Sequence, residues 1–383
     1  MRIRGGKKTF INYTALDFFA GSGLVTYSLR PFFNVIWAND ICPKKADVYK
    51  ANHGDNHFYL DSIENINGKD LPEADLSWAS FPCQDLSLAG KTGGINAKRS
   101  GLVWDWIRVM DEMEQWPELL VAENVAGFIS GAKGDHYKIF HRELVKRGFR
   151  VGPVLLDAAR WIPQSRPRVF VIAVKSDLEI PDELTSKNPN WLHSGAIIRV
   201  QNDLNNWIWW NVPEPIASRQ KNIADVIERD APRDGQKKTE KLLSLIPQRH
   251  LDKLNEHDEV VATGYKRTRN GKQTLELRFD GTAGCLRTPQ GGSSRQFVIF
   301  KNGDQYSSRL LTTQEVARLM GAPESYILPE LYNDAYKAMG DAVAVPAVQY
   351  LTEFLLFPLM NAIKMQSEKE IDDGDLISTA YGL

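Results

Sequence analysis

The sequence predicts an α/β protein: a Rossmann-like, mostly parallel sheet with helices on both faces, joined to a smaller, irregular, β-rich domain. Three observations carry this. Between Thr14 and Val174, short apolar runs alternate with amphipathic stretches, the rhythm of a doubly wound sheet. After Lys175 that rhythm gives way to a segment rich in Trp, Asn, Pro, Lys and Arg, and at Arg309 a helical period returns. The 383 residues, 43% hydrophobic and 25% charged, suffice for one large domain or two smaller ones with a substantial core.

Taken in order, the apolar runs are TALDFFA, FNVIWAND, ADLSWAS, ELLVAENV and RVFVIAV. Each closes in small or polar residues, as expected where ligands bind at the carboxyl ends of strands. Residues 11–175 therefore form the first part of a ligand-binding domain. Residues 176–308, with strand-like TLELRF and QFVIF, form the second domain. Residues 309–365 return to the first: LLTTQEVARLMGA is helical in pattern, and Val345 to Lys364 is a long apolar helix with Pro346 in its first turn. The tail, 366–383, carries Glu368, Glu370, Asp372, Asp373 and Asp375 and is expected to be flexible and solvated.

The net charge of −1 neither supports nor excludes nucleic acid, because DNA contact needs a locally basic cleft rather than a basic average. The three cysteines, Cys42, Cys83 and Cys285, form no CxxC pair, so no metal site is expected and reduced thiols are the simplest reading. No signal peptide and no apolar run long enough for a bilayer is apparent, and a cytoplasmic monomer is expected.

In the segment Asp17 to Gly23, a strand end passes through glycines into a helix, which lets a ligand approach the backbone closely. A dinucleotide fingerprint continues with glycine or alanine where this chain has Thr26, which argues against NAD. Asp40 follows Gly21 by nineteen residues, where a carboxylate commonly takes ribose hydroxyls. By themselves these residues fit either an adenosine-containing cofactor or a tight turn with Asp40 as a helix cap.

Phe81-Pro82-Cys83-Gln84 sets a thiol directly after the strand ADLSWAS. A free thiol has a pKa of about 8.5 and needs its site to make it a nucleophile; a lone cysteine is more often a small buried hydrophobe. Glu123-Asn124-Val125 ends another strand of the same sheet. An acid that donates a proton there needs its pKa raised from about 4.3, which burial supplies. Gln164-Ser165-Arg166-Pro167-Arg168 offers two guanidinium groups for a phosphate or a base carbonyl, or for ordinary salt bridges.

With these residues in view, DFFAGSG, FPCQDLSLAG, ENVAGF, QSRPRVF and GDAVAVP resemble, in order, the motif set of DNA cytosine-5 methyltransferases of bacterial or phage type. The resemblance implies a methyltransferase fold that binds S-adenosyl-L-methionine and releases S-adenosyl-L-homocysteine, with 176–308 as the target-recognition domain. It implies Cys83 as the nucleophile that adds to carbon 6 of a flipped cytosine, Glu123 on ring N3, and Arg168, with Arg166, on the base oxygen. For the cofactor it implies Phe19, Ala20, Gly21, Ser22, Gly23, Asp40, Ile41, Asp61, Ser62, Pro82, Leu102, Asp341 and Val343. Two departures stand out: Leu24 where the family often has glycine, and Asp341-Ala342 where it often has Asn-Ser. The extra carboxylate of Asp341 is expected either to weaken cofactor binding or to pair with the cofactor's amino group.

A base inside a duplex must be extruded before carbon 6 can be attacked. The stretch from Ser87 to Ser100, with Gln84 before it, offers glycines for motion and Lys91, Lys98 and Arg99 for phosphates. In the middle segment a basic turn, 266–272, and the polar stretch from Arg287 and Thr288 to Arg295 supply side chains of the kind that grip double-stranded DNA. Pairing with a restriction endonuclease is left open. The rivals are a tRNA cytosine-5 methyltransferase, a DNA-binding relative without catalysis, and a dinucleotide oxidoreductase, which leaves PCQ and ENV unexplained.

Overall fold

The computed structural model describes residues 13–82, 101–215, 221–287 and 295–367. Its first sheet has seven strands: β1 (Tyr13–Phe18), β2 (Phe33–Asp40), β3 (Phe58–Leu60), β4 (Leu76–Ala79), β5 (Leu119–Val125), β6 (Phe149–Asp157) and β7 (Pro167–Lys175). Their spatial order is β3-β2-β1-β4-β5-β7-β6. Neighbours from β3 to β5 are parallel, whereas β7 runs antiparallel to both β5 and β6. The five expected runs are all strands. Two strands were not anticipated: β3 is short and largely exposed, and β6 carries Gly152 and Pro153, which weaken a strand signal. Gly152 is required by packing, since a Cβ there would lie 2.6 Å from the Trp210 indole, which donates to the Gly152 carbonyl at 2.9 Å.

Side chains alternate across the sheet. In β5, Leu119 and Val121 enter one core and Leu120 and Ala122 the other. The first core is capped by Val25, Leu29 and the final helix through Val348, Leu355 and Ile363. The second is capped by Trp106 and Met110 of helix Leu102–Glu112 and by Tyr137 and Phe140 of helix Asp135–Lys146. By length and composition alone Tyr332–Ser367 would pass for a membrane span, but it is mostly buried in the protein, as the core helix of a globular fold is. It includes a π-helical stretch, Thr352–Leu356, after the α-helix Val345–Leu351.

The second sheet is antiparallel, in the order β11-β10-β8-β9, from β8 (Glu259–Arg269), β9 (Lys272–Arg278), β10 (Gln296–Asn302) and β11 (Gln305–Leu310). The basic turn expected around 266–272 is the β8–β9 hairpin, closed by Asn270 and Gly271 at φ of 49° and 73°, the left-handed pair a tight two-residue hairpin turn favours. Part of the segment from 176 onward, read from the sequence as the second domain, covers the first sheet. Residues 184–212 pack on the first sheet, with Leu184, Leu192 and Trp210 in one core and Ile197 and Val200 in the other. The return segment enters through helix Thr313–Met320, whose capping box pairs Thr312 with Glu315. Glu315 is fully buried and meets the Arg309 guanidinium at 2.6 and 2.7 Å, so neither charge is left alone in the interior.

Candidate active site

The glycine loop is built as a ligand-approach surface. Phe19, Gly21 and Gly23 all have left-handed backbones, at φ of 58°, 56° and 85°. Gly23 admits no side chain, because a Cβ would stand 2.5 Å from the His53 ring. Asn39 braces the region: its carbonyl accepts from Ala20 N at 2.8 Å and its side chain donates to Asp61 O at 3.0 Å. The loop is also tied to the C-terminal segment, since Ser22 Oγ donates to Ala338 O at 2.9 Å and the Tyr326 hydroxyl donates to Ser22 O. Ser22 is therefore committed to the return segment and does not present its hydroxyl to a ligand. Leu24 buries its side chain beside Val48, Ala317 and Val345. That departure from the family pattern fills a core and leaves the loop open.

At the sheet edge the acceptors and apolar surfaces suit an adenosine group. Ile41 is 67% exposed, an uncovered aliphatic side chain following Asp40, and Phe19 is partly buried against the second core. Asp61 is exposed and accepts from Ser62 N and the Asn65 side chain through one oxygen, while its other oxygen has no partner among the described residues. Ser62 caps the short 3-10 helix after it. Asp40 braces the loop: its two oxygens accept from Gly21 N at 2.9 Å and Cys42 N at 2.8 Å, while the helix that follows has Cys42, not Asp40, at its N-cap. Pro82 is exposed and Leu102 half-buried, while Val343 sinks its side chain into the core, leaving only its backbone for a ligand. Asp341 pairs with Lys45 at 2.8 Å.

At the same sheet edge, Glu123 and Arg168 meet at 3.1 Å, Glu123 being only 6% exposed. Glu123 ends β5, and Arg168 lies at the start of β7, not at a carboxyl end. Because β7 is reversed, its beginning reaches the edge where its parallel neighbours finish. Burial lifts the Glu123 carboxyl above its ordinary value, against the pull of Arg168, Arg166 and a hydrogen bond with Ser80. It is thus biased toward holding a proton. Arg166 does something else: it is 2% exposed and donates to Leu286 O at 2.8 Å, Gly340 O at 3.0 Å and Ala342 O at 2.6 Å. It positions the middle and C-terminal segments rather than facing a substrate.

Asn124 was not singled out by the sequence, yet its amide donates to Phe81 O at 2.9 Å and ties the residue two before Cys83 to the strand of Glu123. Ser80, which accepts from the Trp78 indole at 3.0 Å, and Cys285, 3.3 Å from Arg166 Nη1, also border this edge. Arg287 is exposed, and Arg295 is engaged by Asn333 at 2.5 Å. Cys83, Gln84, Ser87, Lys91, Lys98, Arg99 and Thr288, with the tail beyond 367, lie outside the described residues.

A seven-stranded sheet with one reversed strand, a glycine loop after β1 and an acid–guanidinium pair at the same edge define an S-adenosylmethionine-dependent methyltransferase. The C-5 cytosine-specific DNA methylase model matches residues 13–356, and the chain belongs to that family. Among its relatives, the type II methyltransferase M.Bsp6I of Bacillus sp. (strain RFL6) is 25% identical over 344 residues, covering 88% of this chain and 96% of the relative. M.HhaI of Haemophilus parahaemolyticus is 26% identical, covering 88% and 92%. In fold it is similar to the S. pombe Dnmt2 methyltransferase, with a TM-score of 0.57 and 20% identity over 91% of this chain and 99% of that one.

Proposed function

We propose that this protein is a sequence-specific DNA cytosine-5 methyltransferase acting on cytosines flipped from double-stranded DNA, and that it works beside a restriction endonuclease, as the type II names of its relatives suggest. The observation that carries the catalytic reading is the buried Glu123–Arg168 pair at the edge where Phe81-Pro82 leads into Cys83. Carbon 5 of cytosine is a poor nucleophile until a thiolate adds to carbon 6 and turns the ring into an enamine. Cys83 makes that bond, Glu123 holds a proton at ring N3 as charge arrives, and Arg168 steadies the base oxygen. The glycine loop, Phe19, Ile41 and Asp61 hold S-adenosylmethionine, which supplies the methyl group to carbon 5. Loss of the carbon-5 proton then expels Cys83.

DNA carrying 5-fluorocytosine at the target position tests this, because fluorine cannot leave as a proton does. A covalent, denaturant-resistant complex is expected with the wild type and none with Cys83→Ser. Turnover without any trapped complex would defeat the role given to Cys83. Methyl transfer to tRNA alone, in a parallel assay, would defeat the choice of DNA.

A further inference from the structure

We propose that Lys45 and Asp341 together form the receptor for the amino-acid head of the cofactor, Lys45 taking its carboxylate and Asp341 its ammonium. The inference rests on the cofactor reading of the glycine loop and assigns Lys45 a role that the sequence motifs do not.

Lys45 lies in the first turn of helix Pro43–His53, after β2, and Asp341 is the last residue of helix Tyr332–Asp341. Elements far apart in the chain therefore bracket one loop. The Lys45 stem runs along that loop, its Cδ 3.9 Å from where a Cβ on Gly21 would sit. The two charges meet at 2.8 Å, with side chains 17% and 31% exposed, sheltered yet within reach of a ligand. Asp40, the other carboxylate beside Lys45, is committed through both oxygens to backbone N–H groups, so it cannot swing away to serve as the movable partner. Ser22 meanwhile pins the loop to the helix that carries Asp341, through Ala338 O.

The chemistry favours a pair over a single charge. The amino-acid head is a zwitterion, and a receptor of one cation and one anion matches it with no net charge brought into the site. Without ligand, Lys45 and Asp341 neutralise each other, so neither is desolvated alone. With ligand, each trades one ionic partner for another of the same sign, and the charge-assisted hydrogen bonds are kept. A neutral Asn-Ser in place of Asp341-Ala342 would have no such use for Lys45.

Equilibrium binding on the full chain separates this from a purely structural tie. Calorimetry compares S-adenosylhomocysteine with 5′-methylthioadenosine, which keeps the adenine, ribose and thioether but lacks the amino-acid head. Lys45→Met and Asp341→Asn are each expected to weaken S-adenosylhomocysteine about tenfold or more, and to leave methylthioadenosine nearly unchanged. Lys45→Arg should keep most of the affinity. Equal losses for both ligands would mean that the pair only shapes the loop, and no loss for either would mean that it never meets the ligand; each overturns the proposal. If the wild type binds neither ligand, the cofactor reading itself fails.

Discussion

Asp17 is a carboxyl group sealed from water at the base of the glycine loop. It is 0% exposed; one oxygen accepts from the Thr26 hydroxyl at 2.7 Å and the other has no hydrogen-bond partner. Burial pushes its pKa up to about 7, with Thr26 pulling the other way and the Asp40 charge adding to the rise. The folded state therefore holds this proton where the unfolded chain, near the ordinary carboxylate value of 3.8, has released it. Stability lost to Asp17 grows as pH rises through that window, at up to about 1.4 kcal/mol per pH unit. Histidines such as His53, lowered by burial to about 3, oppose this slope, so the test is a difference. The melting-temperature advantage of Asp17→Asn over the wild type should be larger near pH 8 than near pH 5; parallel pH profiles would contradict the assignment. Thr26, which distinguishes this loop from a dinucleotide fingerprint, is thereby explained as the partner of Asp17. At this scale Glu123 and Arg168 were legible in the sequence because their chemistry restricts the residue type. Asn39 and Asn124 were not, because each works by reaching a backbone carbonyl that only the folded chain brings near.

Among the elements, the connection from β6 to β7 ties the first sheet to both the middle and the C-terminal segments. Gln164 donates to Leu319 O at 2.5 Å and accepts from Leu286 N at 3.1 Å, Ser165 N donates to Ala283 O at 3.0 Å, and Arg166 gathers three carbonyls. Arg166→Leu would bury those acceptors without donors, at about 1–3 kcal/mol for each one left unpaired. Urea denaturation should show a loss of several kcal/mol, and a loss under about 1 kcal/mol would show that water or neighbours replace the guanidinium. Five of the first sheet's strands could be read from apolar runs. The reversal of β7 could not, because a strand buried on both faces has the same composition in either direction. Nor could the attachment of 184–212, whose tryptophans and asparagines look like loop residues until Trp210 is seated on Gly152.

For the whole molecule, a net charge of −1 means that any grip on DNA comes from where the cations lie. Arg287 is exposed, next to Leu286, whose carbonyl Arg166 holds. Arg287→Ala should weaken binding to cognate and unrelated duplexes alike and lower the slope of log affinity against log salt by about one. An unchanged slope would remove Arg287 from the phosphate contacts. The order of the large units, a sheet domain interrupted by a smaller β-rich one, was legible because hydrophobic rhythm changes where packing partners change. The exact junction was not, since chain that leaves one sheet can still cover it.

The reversed strand also has a topological meaning. In a wholly parallel sheet, the link into the last inner strand would arrive from the far side through a crossover. Here the link is a short hairpin on the reactive side, gripping the module through Ala283 and Leu286 and delivering Arg168 a few residues later. Arg168 is thereby joined to Ala283 and Leu286 by a few residues of backbone on the reactive side, with no crossover between them.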